Sequence, residues 1–441
     1  MKQIVVLLAT FFLFGINTYA QNDSKVKGFK DNIAKSNAAI QDAKKSLAPK
    51  TWMDRGKLFQ DVYGLNVNLL RFGLTSTEAK LFFKEPTQIL TMEVDGVQHV
   101  VYEYSQIELT FADDGLIHWK ETQKIEDNPL NEAVKSYGKA ASLDEKGKLT
   151  KKINEAYATI VRDLEVKCLN DYYNQNYNDA YQAVRLKIDL NKLLGVSDTI
   201  GYYQAGVFAY SQSEIDKSMW REVESNFNEA IGLGYQEADD VKGRINQMLY
   251  EASTAQGDTV KALKYAETGL QKYPNSLTLI YVMVNHYLHL NNSQEALRYI
   301  LKAKDGDPTN ASLYYAEGSL YERLGEPDKA IAAYDEAIAI DPKISGTYNP
   351  YYNKAVTIFN VAAKMMDDAN TAKTNAEFEQ KKDVAENEFM KAIPPLEKAL
   401  EMNPTDRDVM DILKTLYYRL RIKYPELETK YNDITKKIEA M

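Results

Sequence analysis

Along most of the chain, apolar and small residues recur at helical spacing, and the pattern itself repeats. Pro274, Pro308 and Pro342 stand 34 residues apart, and Ala262, Ala296 and Ala330 keep the same interval, as do Gly269, Ala303 and Ala337. Residues 311–344 give the clearest unit. Tyr314, Gly318 and Tyr321 fall on one first helix, and Ala330, Tyr334 and Ala337 on a second. Asp341-Pro342 closes the unit, because proline cannot continue a helix. Small side chains at Gly318 and Ala330 let two antiparallel helices approach closely, and the tyrosines fill the space between hairpins. Weaker copies lie to either side. Residues 243–276 keep Ala262, Ala266, Gly269 and Pro274 but put Tyr250 where Gly318 stands, and residues 277–310 put Val284 there. Residues 199–238 carry Tyr202, Gly206, Phe227 and Ala230, with a longer loop before Trp220. Residues 161–194 carry Ala180 and Val184 after the turn Asn176-Tyr177-Asn178, and Cys168 takes a small-residue place, which predicts a buried thiol.

The period breaks twice. After Pro342 the marker proline returns only at Pro404. Helices over Tyr348–Asp368 and Ala376–Met402 are expected to form a long, protruding hairpin across 348–402, with Ala392, Leu396 and Ala399 completing the repeat and Pro394-Pro395 kinking its second helix. Near the start, a helix over Lys25–Leu47 precedes Trp52, Gly56 and Phe59, which read as the first helix of a repeat. Its second helix, Asn131–Ser142 with Ala133, Tyr137 and Ala140, comes only after residues 65–127. In that interval the period drops to 2: Leu90, Met92 and Val94 alternate, as do Val100, Tyr102 and Tyr104, then Ile107, Leu109 and Phe111, then Ile117 and Trp119. Asp95-Gly96 signals a two-residue hairpin, Asp113-Asp114-Gly115 a second turn, and Thr75–Lys84 a short capped helix. The expected organisation is residues 1–20 as a leader, 21–64 as N-terminal helices and a first half-repeat, 65–127 as an α+β insert of three or four antiparallel strands, and 128–441 as the repeat array.

The 34-residue period with these marker columns resembles the tetratricopeptide repeat. The resemblance implies an all-α solenoid of antiparallel helix hairpins wound as a right-handed superhelix, here with a small α+β antiparallel insertion near the N-terminus. Lys50-Thr51-Trp52, Arg55-Gly56, Tyr351-Tyr352-Asn353-Lys354-Ala355 and Leu396-Glu397-Lys398-Ala399-Leu400 resemble tetratricopeptide proteins exported into bacterial cell envelopes, which implies a binding solenoid. The insert, with Glu85-Pro86-Thr87 between helix and strands, is faintly similar to the helix-then-meander lipoprotein modules of outer-membrane assembly machinery. It lacks their glycine near Lys84 and their lipidated cysteine.

The first residues bear on location. Lys2 precedes an apolar run, Ile4 to Phe14, and Thr18-Tyr19-Ala20 sets small residues at the places a signal peptidase reads. The run is shorter than the ~20 residues a bilayer crossing needs. The expectation is an exported chain, periplasmic or extracellular, cut before Gln21 and not lipid-anchored, since no cysteine follows the run. One cysteine, Cys168, excludes an internal disulfide framework. With 54 Lys and Arg against 63 Asp and Glu, the net charge is −9, which argues against nucleic acid or an anionic membrane as partner.

Catalytic chemistry leaves little trace. The sequence has no Gly-rich phosphate loop, no paired-His zinc helix and no serine elbow. His286 and His289 are compatible with one metal-binding face, but no carboxylate follows at ligand spacing. Asp305-Gly306-Asp307-Pro308-Thr309-Asn310 imitates part of a calcium loop without its sixth-place glycine or twelfth-place glutamate, and coincides with a repeat junction. The expected binding face comes from first helices of successive repeats: Arg244, Gln247 and Glu251, then Tyr281, Asn285 and His289, then Tyr315, Ser319, Glu322 and Arg323. The places where some cytosolic members grip a C-terminal carboxylate hold Gln247, Glu251, Val282, Ser312 and Ala316 instead, so that clamp is absent. The expectation is a non-enzymatic scaffold, without cofactor or metal, that binds another envelope protein or peptide. The alternatives are a capture protein for a glycan or peptide, and an envelope assembly factor acting through the β-insert.

Overall fold

The computed structural model describes residues 6–7, 19–94, 96–342 and 349–440, and divides into two units, residues 1–236 with 255–257 and residues 237–254 with 258–441. Most of the expected leader, Asp95 of the expected hairpin turn and Tyr348 of the expected long hairpin lie outside the described residues.

The first unit opens with α1 (Tyr19–Gln41) and α2 (Pro49–Val67). The helix expected through Leu47 stops at Gln41 because the Asp42 carboxylate accepts the Lys44 and Lys45 amides at 2.9 and 2.8 Å, a local bond that competes with helix continuation. Pro at the first position then starts α2. The partner of α2 is α4 (Pro129–Leu143), although residues 68–128 intervene. A Cβ on Gly56 would stand 2.6 Å from the Tyr137 ring, so only glycine allows this approach. Arg55, itself buried, donates to Asn37 on α1 at 2.7 Å and pairs with Glu132 on α4 at 3.4 Å. It thereby ties three helices together.

Two more hairpins follow, α5 (Thr150–Tyr173) with α6 (Tyr177–Leu193), and α7 (Thr199–Ser213) with α8 (Trp220–Gly232). Gly206 and Phe227 repeat the glycine–aromatic lock, again with 2.6 Å from a built Cβ to the ring. Cys168 is fully buried, and burial, reinforced by the Glu165 carboxylate, pushes its thiol up to about 12. Its thiolate is therefore suppressed at physiological pH. Lys187 is only 3% exposed, and pairs with Glu165 and, at 3.4 Å, with Asp198, so one buried cation joins α6 to α5 and to the cap of α7.

The insert folds as a short helix and a meander. Thr75 and Glu78 form a capping box at α3 (Ser76–Phe83). Strands β2 (Gln88–Val94), β3 (Val97–Glu103), β4 (Ile107–Ala112) and β5 (Gly115–Glu121) pair antiparallel in sequence order, and β1 (Val6–Leu7) pairs with the outer edge of β2. Val94 pairs with Val97, with Gly96 at φ +80° in the turn. One face carries Tyr102, Leu109, Phe111 and Trp119, packed with Leu74 and Ala79 into the insert's core.

The second unit begins with α9 (Arg244–Ala255) and α10 (Thr259–Lys272), followed by α11 (Leu277–His289) with α12 (Ser293–Gly306) and α13 (Ala311–Arg323) with α14 (Pro327–Ile340). Gly318 against Tyr334 gives the third lock, at 2.6 Å. Next come the long pair α15 (Asn349–Ala369) and α16 (Asn375–Met402), then α17 (Arg407–Leu420) and α18 (Leu427–Glu439). Both Pro394 and Pro395 lie inside α16, which is assigned as one helix from end to end. Tyr424 donates to Asn387 at 2.7 Å, and Lys423 donates to Asn387 at 2.9 Å and pairs with Asp383, so the tail braces α16 from the side.

Candidate functional site

The ten expected groove residues all lie on the first helices α9, α11 and α13, and the structure separates them into two groups. Tyr281, Asn285 and His289 are exposed along α11, and Arg244 and Arg323 are exposed on α9 and α13. Burial raises the Tyr281 hydroxyl above its ordinary value, with the Asp307 carboxylate adding to the effect. The others are partly buried and engaged. Gln247 donates to Glu251 at 2.9 Å. The Tyr315 hydroxyl accepts from Asn353 on α15 at 3.0 Å, and Ser319 meets the Tyr334 hydroxyl at 3.2 Å. Glu322 accepts from Tyr334 at 2.7 Å and from Thr357 on α15. Tyr315 and Glu322 thereby stitch this hairpin to the next, while Ser319 joins the two helices within it. No property of the α13 sequence distinguishes them from Arg323; their partners lie 12 to 38 positions away.

The two histidines part company. His286 is buried, with its Nδ1 3.1 Å from the Tyr250 hydroxyl, while His289 is exposed. Burial pulls the His286 imidazole below its ordinary value, and the neighbouring His289 adds to this. Tyr250 occupies the place glycine holds in other hairpins, and His286 takes its hydroxyl. Among the described residues no group of three or more metal-ligating side chains forms. Asp307-Pro308-Thr309-Asn310 is a helix junction, in which Thr309 donates to Asp307 at 3.0 Å and Asn310 caps α13 by accepting from Ser312 at 3.2 Å.

A second site was not singled out by the sequence reading. The sheet face opposite the insert's core carries Leu90, Met92, Val101, His99, Thr110 and His118 in register, and a cavity of about 950 Å³ lies against it. Phe72, Leu169 and Tyr173 close its side, and Glu103 and Glu108 stand in the lining. Burial lowers the His118 imidazole below its ordinary value, and His99 adds to the effect. The signal was present in the alternation itself. Leu90, Met92 and Val94 are apolar on the face away from the core, which a sheet with one solvated face does not require.

Residues 311–344 match the sequence profile described as the tetratricopeptide repeat. This segment is a tetratricopeptide repeat. The matched segment coincides with α13 and α14, where the Gly318–Tyr334 lock sits. The C-terminal part of a TPR repeat-containing protein from Cytophaga hutchinsonii is similar in structure, at 16% identity and a TM-score of 0.43, covering 64% of this chain and 94% of that one. YrrB, a TPR protein with an unusual peptide-binding site, is 21% identical over 45% of this chain and 94% of its own, at a TM-score of 0.31. MamA is 19% identical over 43% and 95%, also at 0.31. No curated protein matches the chain. The repeat fold supports a scaffold for protein–protein interaction, and among the described residues no helix is long and apolar enough to cross a membrane.

Proposed function

We propose that this protein is an exported, non-enzymatic tetratricopeptide repeat scaffold that holds another envelope protein or peptide against the first helices of its second unit. The observation that carries the reading is the row Tyr281, Asn285 and His289, left exposed on α11 between the exposed Arg244 of α9 and Arg323 of α13. Exposed tyrosine and arginine side chains on such a face can be desolvated by a partner, and such anchors typically cost ≥2 kcal/mol when truncated. Export is supported by Lys2, the apolar run Ile4 to Phe14 and Thr18-Tyr19-Ala20. It is also supported by the thiol economy of the chain, whose one cysteine is buried.

The test uses Tyr281→Ala with Arg323→Ala, both exposed and neither part of a hairpin lock. The native complex, isolated from the exported fraction, is expected to lose at least 30-fold in affinity while the melting curve stays unchanged. Wild-type affinity in that variant would move the interface elsewhere, with the hairpin surface around Lys364–Lys382 next to be tried. Recovery of the chain with its N-terminus at Met1 in the cytoplasmic fraction would refute export.

A further inference from the structure

We propose that the outer edge of β2, together with the cavity on the adjoining sheet face, takes up an extended apolar segment of a partner polypeptide as an added antiparallel strand. The site is independent of the α9, α11 and α13 face. The two edges of the sheet are built differently. At the β5 edge, Asn170 on α5 accepts the Trp119 N–H at 2.9 Å and donates to the Trp119 carbonyl at 3.0 Å, and Asn174 donates to the same carbonyl at 2.9 Å. Side-chain amides there stand in for a neighbouring strand and close the edge. At the β2 edge the pairing partner is backbone: Val6 lies opposite Met92 and Leu7 opposite Thr91. The chain's own N-terminal segment thus shows that this edge accepts a strand. β2 reads Gln-Ile-Leu-Thr-Met-Glu-Val, with none of the lysines or prolines that usually blunt an edge.

The cavity supplies the selectivity. Leu90, Met92 and Val94, at alternate places on β2, line it together with Val101. A strand added beside them projects every second side chain over the same face, so it must be apolar at alternate positions and free of proline. Glu93 on the edge strand and Glu103 in the lining favour a basic residue next to the apolar stretch. Lys2 followed by Ile4, Val5, Val6, Leu7 and Leu8 has this composition.

The experiment uses the chain purified from the exported fraction, its N-terminus read by mass spectrometry, and a fluorescein-labelled peptide of residues 2–9. Saturable binding is expected by anisotropy. Amide hydrogen exchange should slow at residues 88–94 when peptide is added. A Val6→Pro peptide, which removes a ladder donor, should bind at least tenfold more weakly, and so should the wild-type peptide to Met92→Lys. If Met92→Lys fails to fold, the exchange footprint on the wild-type chain still decides. Absence of binding, a footprint outside β2, or equal binding of the Val6→Pro peptide overturns the proposal. So does a small apolar dye that fills the cavity and is not displaced by the peptide. A purified chain that retains residues 1–20 and takes up no peptide overturns it as well, since the edge would then serve the chain's own segment.

Discussion

The hairpins α2/α4 and α13/α14 contain the same lock made in two ways. In α13/α14 the helices are joined by residues 324–326, and Gly318 closes on Tyr334. In α2/α4 the join runs from residue 68 to residue 128, yet Gly56 closes on Tyr137 at the same 2.6 Å. Lengthening a loose connection from three residues to about sixty costs roughly 3 kcal/mol in closure entropy. The insert avoids much of that loss because it is ordered and attached. Its ends are held by Asn66 donating to Glu121 at 3.2 Å, and its body by the Asn170 and Asn174 amides on Trp119. The pair contact, rather than the connection, therefore defines the repeat. The insert in turn leans on α5, so it is less independent than its own turns and alternation imply.

The largest expected effects test the locks directly. Gly318→Leu and Gly56→Leu each force a side chain into a tyrosine ring and should lower stability by about 3 kcal/mol in urea melts, near the top of the range for overpacking. Equal losses confirm one lock used twice; tolerance of Gly56→Leu would show that the split hairpin is held by Arg55 and the insert instead. The places of glycine and aromatic also trade. Tyr250 and Ala266 occupy in α9/α10 the places of Gly318 and Tyr334, and both belong to one core cluster. Gly318→Tyr combined with Tyr334→Ala should therefore recover at least about 1 kcal/mol relative to the sum of the single changes, a coupling within the range seen for residues in contact. Additive losses would refute size complementarity as the rule.

Asn170→Ala should weaken the insert's attachment by about 2 kcal/mol, because the Trp119 backbone loses buried partners. Hydrogen exchange should quicken in β5 and remain unchanged in α13 and α14. A uniform change across both units would mean that the amides support global folding instead.

A smaller effect is electrostatic and local to the same junction. Burial pushes the Asp163 carboxyl up to about 6 from the usual 3.8. Burial also raises Glu121 and Asp171. For a raised carboxyl the folded state holds the proton more tightly, so its stabilising contribution is complete below about pH 4 and is lost as pH rises through 6. Asp163→Asn should melt higher than wild type at pH 7, and the gain should disappear by pH 4. A gain that is constant with pH would point to packing rather than charge. Least of all, Arg323→Ala should change stability by less than about 0.5 kcal/mol, as for exposed positions away from packed contacts; a larger loss would place it among the stitching residues with Glu322.

Sequence alone determined the hairpins. Helix type, the 34-residue period, the strand meander and the pairing of Trp52, Gly56 and Phe59 with Ala133, Tyr137 and Ala140 all follow from periodicity and residue size, which are local or nearly local properties. The burial of Cys168 followed from its place in a small-residue column. Tertiary structure decided what the polar residues do. Tyr315, Ser319 and Glu322 share a first helix with Arg323, yet their partners come from α14 and α15, and no spacing within α13 encodes that. Asp42 ended α1 early through two short-range bonds that hydrophobic periodicity does not register. What packs beside each edge of the sheet was likewise settled by tertiary structure, Asn170 at β5 and the β1 backbone at β2, because those neighbours lie far away in the sequence.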